Sequence, residues 1–83
     1  MQKRMGMIGI FVRERGEAAA QVNHYLSDFG HIVVARVGVP YRERELSVIS
    51  VIVDGTNDEI GALAGKLGSI PSVTVRSMLA PME

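Results

Sequence analysis

The sequence predicts a single α+β domain, positions 1–83, in which strands and helices follow in the order β-α-β-β-α-β. Three observations predict it. Four apolar stretches are each long enough for one strand, and two segments carry apolar residues at three- and four-residue spacing. Glycine or proline lies at most of the junctions between these segments, where chain reversals are expected.

The first half of the chain is typical of strand, helix and strand. Met5 to Val12 is an apolar strand that ends in a charged turn. Residues Glu17 to Phe29 have the apolar spacing of a helix, and Gly30 follows where a left-handed C-cap is expected. His31 to Val39 is the second predicted strand, and Pro40 to Arg44 connects it to the third.

The second half repeats this pattern. Glu45 to Val53 is the third predicted strand. Thr56 and Glu59 have the spacing of a capping box, which starts a helix that ends at Gly68. Ser72 to Leu79 is the fourth strand.

The second predicted helix also contains glycines, at positions 61 and 65. Each mid-helix glycine costs about 1 kcal/mol relative to alanine. We therefore expect a compensating close approach, with the helix's own sheet the favoured surface and a partner helix the alternative.

Two β-α-β halves joined by a hairpin predict the ferredoxin-like arrangement. Right-handed crossovers place both helices on one face of an antiparallel sheet with strand order 4-1-3-2. The predicted edge strands carry Arg36 and Arg76, charged side chains of the kind that discourage pairing between sheet edges.

The third strand is apolar on both faces, which predicts a homo-oligomer, either dimer or tetramer. Leu46, Val48 and Ile52 point to one face of the strand, and the alternate residues point to the other. Helices cover only one face, and large exposed apolar patches are rare in monomers. The alternative is a weakly alternating strand beside a partly covered face. The candidate interface residues are Ile49, Val51 and Val53.

Composition narrows the function classes. The chain has no cysteine, which excludes disulfides, thiolate metal sites and cysteine-held iron–sulfur clusters. Nine basic residues balance nine acidic ones, which argues against direct nucleic-acid binding. Apolar runs fall short of the roughly 20 residues of a membrane span. The start of the chain has no signal-peptide pattern, so we expect a cytoplasmic protein without a membrane partner.

Catalytic and metal-binding patterns are not evident in the sequence. The serines lack a nucleophile-elbow context, and no spaced His/Asp partners accompany them. His24 and His31 are the two histidines, and we expect both at the surface, since a metal site needs three or four convergent groups. The sequence therefore predicts neither an enzyme nor a cofactor.

One cluster of charged residues is a candidate ligand site. Parallel strands 1 and 2 would bring two Arg-Glu-Arg turns to the same end of the sheet, beside the N-terminus of the first helix. Arginines and free helix amides there could hold a carboxylate or phosphate. The alternative is that each arginine pairs with an adjacent glutamate in solvent. The candidate ligand-binding residues are Arg13, Arg15, Gly16, Tyr41, Arg42 and Arg44.

Two segments carry a family resemblance. Val37 to Arg44 (VGVPYRER), running on to residues 47–50, and Val53 to Gly68 resemble the signature of a small family of regulators of the iron-only hydrogenase system. The resemblance covers about Lys3 to Leu79. It implies an ACT-like fold similar to the C-terminal regulatory domain of the nickel-responsive repressor. It also implies effector binding at subunit interfaces near the strand 1–helix 1 loop.

The chain departs from that repressor in two respects. Only residues 1–4 precede the first strand, so no ribbon-helix-helix segment is expected, and the His/Cys nickel set is missing. We therefore expect a non-enzymatic regulatory module, linked to iron-only hydrogenase expression or maturation, that binds a small anionic effector or a regulatory protein partner. The alternatives are a transcriptional regulator that contacts DNA directly and a small acyl-phosphate hydrolase.

Overall fold

A computed structural model describes residues 2–13 and 16–81 of the chain. The β-α-β-β-α-β order is confirmed. Short 3-10 turns, Gly30–Ile32 and Arg42–Arg44, flank the second strand. The elements are β1 (Arg4–Val12), α1 (Glu17–Asp28), β2 (Val33–Tyr41), β3 (Leu46–Gly55), α2 (Asn57–Gly68) and β4 (Val73–Leu79).

The strands form one antiparallel sheet in the order β2-β3-β1-β4, as predicted. The two central strands, β1 and β3, pair with Ile8 opposite Val51 and Ile10 opposite Ile49. The second strand begins later than expected, because residues 30–32 form a turn that buries Ile32 at 3% exposure. The ferredoxin-like α+β fold is thereby confirmed.

The core lies between the sheet and the two helices. Alternate residues of β1 and β3 point toward the helices, whose apolar faces contribute the other half of the core. Its buried members are Ile8, Ile10, Val12, Ala18, Val22, Leu26, Ile32, Val51, Val53, Ile60, Leu63, Leu67 and Ile70. The opposite face of the sheet has no helix on it within the described residues.

This arrangement corrects the predicted oligomer interface. Val51 and Val53 are 0% exposed within the single chain, and Ile49 packs against the same core. The reason is the pairing with β1, which puts these residues on the helix side together with Ile8 and Ile10. The assignment of Val51 and Val53 to a subunit interface is therefore wrong, because their own helices already cover them. Ile49 is half-buried on the same helix side and does not belong to the uncovered face.

The start of α2 has the geometry that its sequence predicts. Thr56 Oγ1 accepts a 3.1 Å hydrogen bond from the Glu59 amide, and Glu59 Oε1 accepts a 2.9 Å bond from the Thr56 amide. This reciprocal pair satisfies two amides that the first turn leaves without helical partners.

The glycines of α2 do not make the close approach that we expected. A Cβ built at Gly61 or Gly65 meets no described atom within 4 Å outside the neighbouring helix backbone. Both positions are exposed, on the side of α2 away from its buried residues. The expected packing of these glycines on the sheet is therefore wrong.

Candidate functional site

The sheet register brings the two predicted ligand-binding turns to one end, which we call the arginine end (residues 13, 16 and 41–44). Val12 at the end of β1 pairs with Ser47, and Ser47 pairs with Pro40 near the end of β2. Because β3 lies between these strands, the two turns stand about 10 Å apart, two strand spacings.

The first turn contributes Arg13 and Gly16. The Arg13 amide donates a 2.9 Å hydrogen bond to the Ser72 carbonyl, which fixes the backbone while its side chain is exposed. Gly16 has φ +80° and precedes α1, a conformation that glycine adopts without a steric penalty. Within the described residues no side chain caps the first turn of α1. The predicted candidate Arg15 lies outside the described residues, as does Glu14.

The second turn contributes Tyr41, Arg42 and Arg44. Tyr41 ends β2 and is 43% exposed, and both arginines are exposed in the 3-10 turn that follows. The ion pairs found among residues 2–13 and 16–81 are His24–Asp28 and His31–Glu59. The alternative that Arg42 and Arg44 are neutralised by neighbouring glutamates therefore does not hold for the carboxylates that the structure describes.

Both histidines lie at the surface, as expected. The side chain of His24 is 67% exposed and lies 3.3 Å from Asp28 on the next turn of α1. His31 Nε2 lies 3.2 Å from Glu59 Oε2. The pKa of Glu59 is lowered, chiefly because the Thr56 amide donates to its carboxylate and secondarily because His31 contacts it.

Among the described residues, most of the large exposed apolar side chains lie on the helix-free surface of the sheet, which we call the open face. Its large apolar side chains are each 36–65% exposed in the single chain. They belong to all four strands: Met5, Met7, Phe11, Val37, Val39, Tyr41, Ile52 and Met78. The sequence predicted that one sheet face would be bare, but the interface residues assigned to it lie on the covered face.

The open face contains a hollow. This hollow of about 430 Å³ is lined by Met5, Met7, Ile52, Met78 and Pro81, among others. Its residues lie away from the arginine end, because Met5 and Met7 belong to the first half of β1, whereas the arginine end follows Val12, the last residue of that strand.

The Gly9–Ser50 pair at the centre of the open face has little side-chain bulk, and the charges of this face are few. Gly9 pairs with Ser50 on one side and Arg76 on the other. The charged side chains of this face, among the described strand residues, are Arg76 and Asp54, which have opposite signs.

Neither helix of the described residues has the length and apolar character needed to cross a membrane.

The sheet with two helices on one face defines the class of fold, and solved structures share it. The ACT domain from the GTP pyrophosphokinase of Chlorobium tepidum has a TM-score of 0.78 and 18% identity over 93% of this chain and 100% of that one. The C-terminal domain of the MgtC protein from Mycobacterium tuberculosis has a TM-score of 0.72 and 12% identity over 93% of this chain and 87% of that one. The fold is ACT-like.

A more specific relationship follows from sequence. The TM1266-like family model, described as iron-only hydrogenase system regulator, matches residues 4–77. The structure of the uncharacterized protein TM1266 from Thermotoga maritima is 39% identical, with a TM-score of 0.94, over 96% of this chain and 100% of that one. The chain belongs to the TM1266-like family of iron-only hydrogenase system regulators. Comparison with curated proteins finds no match.

Proposed function

We propose that this chain is a non-enzymatic regulatory domain of the iron-only hydrogenase system that works as a homo-oligomer and responds to a small anionic effector. The observation that carries the proposal is the open face, whose large apolar side chains are 36–65% exposed. Burial of apolar surface is the main driving force for association, and monomers rarely leave such a face in water.

A second copy of the chain is the partner that this face fits. Its charges, Arg76 and Asp54, have opposite signs, so the face carries no net charge that would oppose the approach of a second copy. Most homo-oligomers are built on a two-fold axis, which pairs a surface with itself. Sheets that stack face to face keep their strands within about 30° of each other at a spacing of about 10 Å.

The surface shape of the open face favours one particular two-fold arrangement of two copies. Phe11 lies two residues beyond Gly9 on β1, and Met7 lies two residues before it. A two-fold axis that crosses the strands at the Gly9–Ser50 pair would put Phe11 of each copy over Met7 of the other. The two Arg76 side chains would come together near this axis, because Arg76 pairs with Gly9, and they would have to turn toward solvent at the edge strand β4. Phe11, 47% exposed, would then fill the hollow beside Ile52 and Met78 of the second copy.

The arginine end supports the effector part of the proposal. Arg13, Arg42 and Arg44 are exposed there, and the uncapped first turn of α1 adds amide donors and a positive dipole end. Arginine side chains and free helix amides together form a favourable environment for a carboxylate or a phosphate. A regulatory protein that presents an acidic segment is the other partner that this chemistry would accept.

Sedimentation velocity of the full chain tests the assembly. The wild type is expected to sediment as a dimer or tetramer at micromolar concentration, whereas Met7→Lys and Val37→Lys should sediment as monomers. Both variants place a charge on the open face, where it would be buried in the oligomer. Ala62→Lys is the matched control, because it adds the same charge at an exposed position of α2.

Circular dichroism of each variant separates loss of assembly from loss of fold. A folded monomer for both open-face variants, with an oligomeric control, supports the proposal. A monomeric wild type, or an oligomer that survives both lysines, overturns the proposed assembly.

A further inference from the structure

A second concave site lies on the helix side of the sheet, between α1 and the edge strand β2. It is a groove of about 260 Å³. Gly38 of β2 forms part of its wall, and a Cβ built there has Ile49 Cγ1, at 3.9 Å, as its one described neighbour within 4 Å. Because Gly38 has no side chain, the space between β2 and α1 stays open at this position.

Arg36 supplies a positioned positive charge at this groove. Its Nη2 donates a 2.9 Å hydrogen bond to Asn23 Oδ1 of α1, across the gap between helix and strand. Because Asn23 is neutral, the bond orients the guanidinium without cancelling its charge. No described carboxylate forms an ion pair with Arg36. The remaining N–H donors of the guanidinium fork stay available for a ligand.

The rest of the groove combines one hydroxyl with apolar walls. Ser47 of β3 contributes a side chain that can donate and accept hydrogen bonds. Val12, Ile49 and Pro40 line the groove with hydrocarbon. A mainly apolar cleft with a few convergent polar groups is the usual form of a small-molecule site.

We propose that this groove binds a small carboxylate with a short apolar chain. The carboxylate accepts hydrogen bonds from Arg36, which Asn23 holds in place, and the apolar chain lies against Val12 and Ile49. A planar guanidinium matches a carboxylate in a two-bond fork. The volume of about 260 Å³ is below the roughly 300–1,000 Å³ of drug-sized sites, which favours a ligand smaller than a nucleotide. The groove is a site separate from the arginine end, so the inference goes beyond the proposed function and adds a second ligand site.

A nitrogen-15 NMR titration with isovalerate tests the site. Isovalerate is expected to shift amide signals of residues 19–23, 36–39 and 47–49 in a saturable manner. Isovaleramide, which has the same shape without the charge, should need at least a tenfold higher concentration. Arg36→Gln should weaken isovalerate binding at least tenfold. Arg76→Gln is the matched control on the other edge strand and should bind as the wild type does.

Asn23→Ala provides a second test that keeps the Arg36 charge, and it should weaken binding severalfold. Equal binding of isovalerate and isovaleramide, unchanged binding by both groove variants, or shifts confined to residues 41–45 would each overturn the proposal. Sedimentation of Arg36→Gln is measured in parallel and should match the wild type, because Arg36 is not on the open face. Failure of this site would therefore leave the proposed assembly standing, and failure of assembly would be seen separately.

Discussion

His31 Nε2 lies 3.2 Å from Glu59 Oε2, while the other oxygen of the same carboxylate accepts the Thr56 amide. Glu59 therefore caps α2 and joins its first turn to the 3-10 turn that precedes β2. These hydrogen bonds favour the ionised carboxylate, and they lower the Glu59 pKa from its usual value of 4.5.

The first prediction concerns the pH dependence of this cap. A lowered pKa in the folded state means that the ionised Glu59 stabilises the fold above pH 4.5, its usual value. That contribution is lost as the pH falls through the folded-state pKa. We expect the melting temperature of the wild type to exceed that of Glu59→Gln at pH 7, with the difference shrinking as the pH falls below about 4.5.

Melting curves from pH 3 to pH 7 check this expectation. Glu43→Gln, a change in the exposed turn after β2, is the control and should show no such convergence. A wild-type advantage that stays constant or grows toward acidic pH would contradict the role given to Glu59.

The second prediction concerns the exposed glycines of α2. Gly61→Ala and Gly65→Ala should each raise the free energy of unfolding by about 0.8–1 kcal/mol, because alanine favours the helix and its Cβ meets no described neighbour within 4 Å. Gly55→Ala is the contrasting control. Its Cβ would lie 2.9 Å from Ile32 Cγ2, so it should destabilise the fold. Urea unfolding measures all three, and destabilisation by Gly61→Ala would indicate a contact made only in the oligomer.

The third prediction concerns Ser72, which has φ +74° in the turn before β4. A non-glycine residue with this φ is strained by roughly 1–2 kcal/mol, and glycine removes that strain. Part of the gain is offset, because glycine also raises the conformational entropy of the unfolded chain. Ser72→Gly should therefore stabilise the protein by up to about 1 kcal/mol. Ser69→Gly is the control, since Ser69 has φ −81° and its hydroxyl donates to the Lys66 carbonyl, so it should not stabilise. Thermal unfolding distinguishes the two.

The fourth prediction tests the corrected division of the sheet into a core side and an open face. Val53→Ala removes two methyl groups from a fully buried position and should destabilise the fold by roughly 2 kcal/mol. Val37→Ala, at a position 64% exposed, should leave the fold nearly unchanged but weaken association. Equal folding losses for the two variants would mean that the faces have been assigned incorrectly.

Sequence patterns predicted the fold well because its signals are local. Periodic apolar residues define the helices, and the capping box at Thr56 starts α2. Because β-α-β crossovers are right-handed, few sheet topologies are compatible with this order of elements. The face of β3 was assigned incorrectly for a physical reason. Apolar residues occupy both sides of that strand, and only its register with β1, with Val51 opposite Ile8, decides which side the helices cover.

The candidate sites depend still more on tertiary contacts. The two turns of the arginine end were predicted together because parallel strands end at the same edge. The groove was not predicted, since it depends on a bond between Arg36 and Asn23, which are 13 residues apart on different elements. The sequence offered one signal for it, a lone arginine followed by Gly38 in an edge strand, which we interpreted as protection against edge pairing.

The central claim is that the open face is covered in solution, and methionine methyl NMR tests it most directly. In the single chain Met7 and Met78 are 44% and 65% exposed, so a dissolved gadolinium chelate would broaden their methyl signals strongly. We predict that both signals are protected in the wild type at micromolar concentration and become broadened in Val37→Lys. Equal broadening in the two proteins would contradict the account, because the open face would then be bare in both.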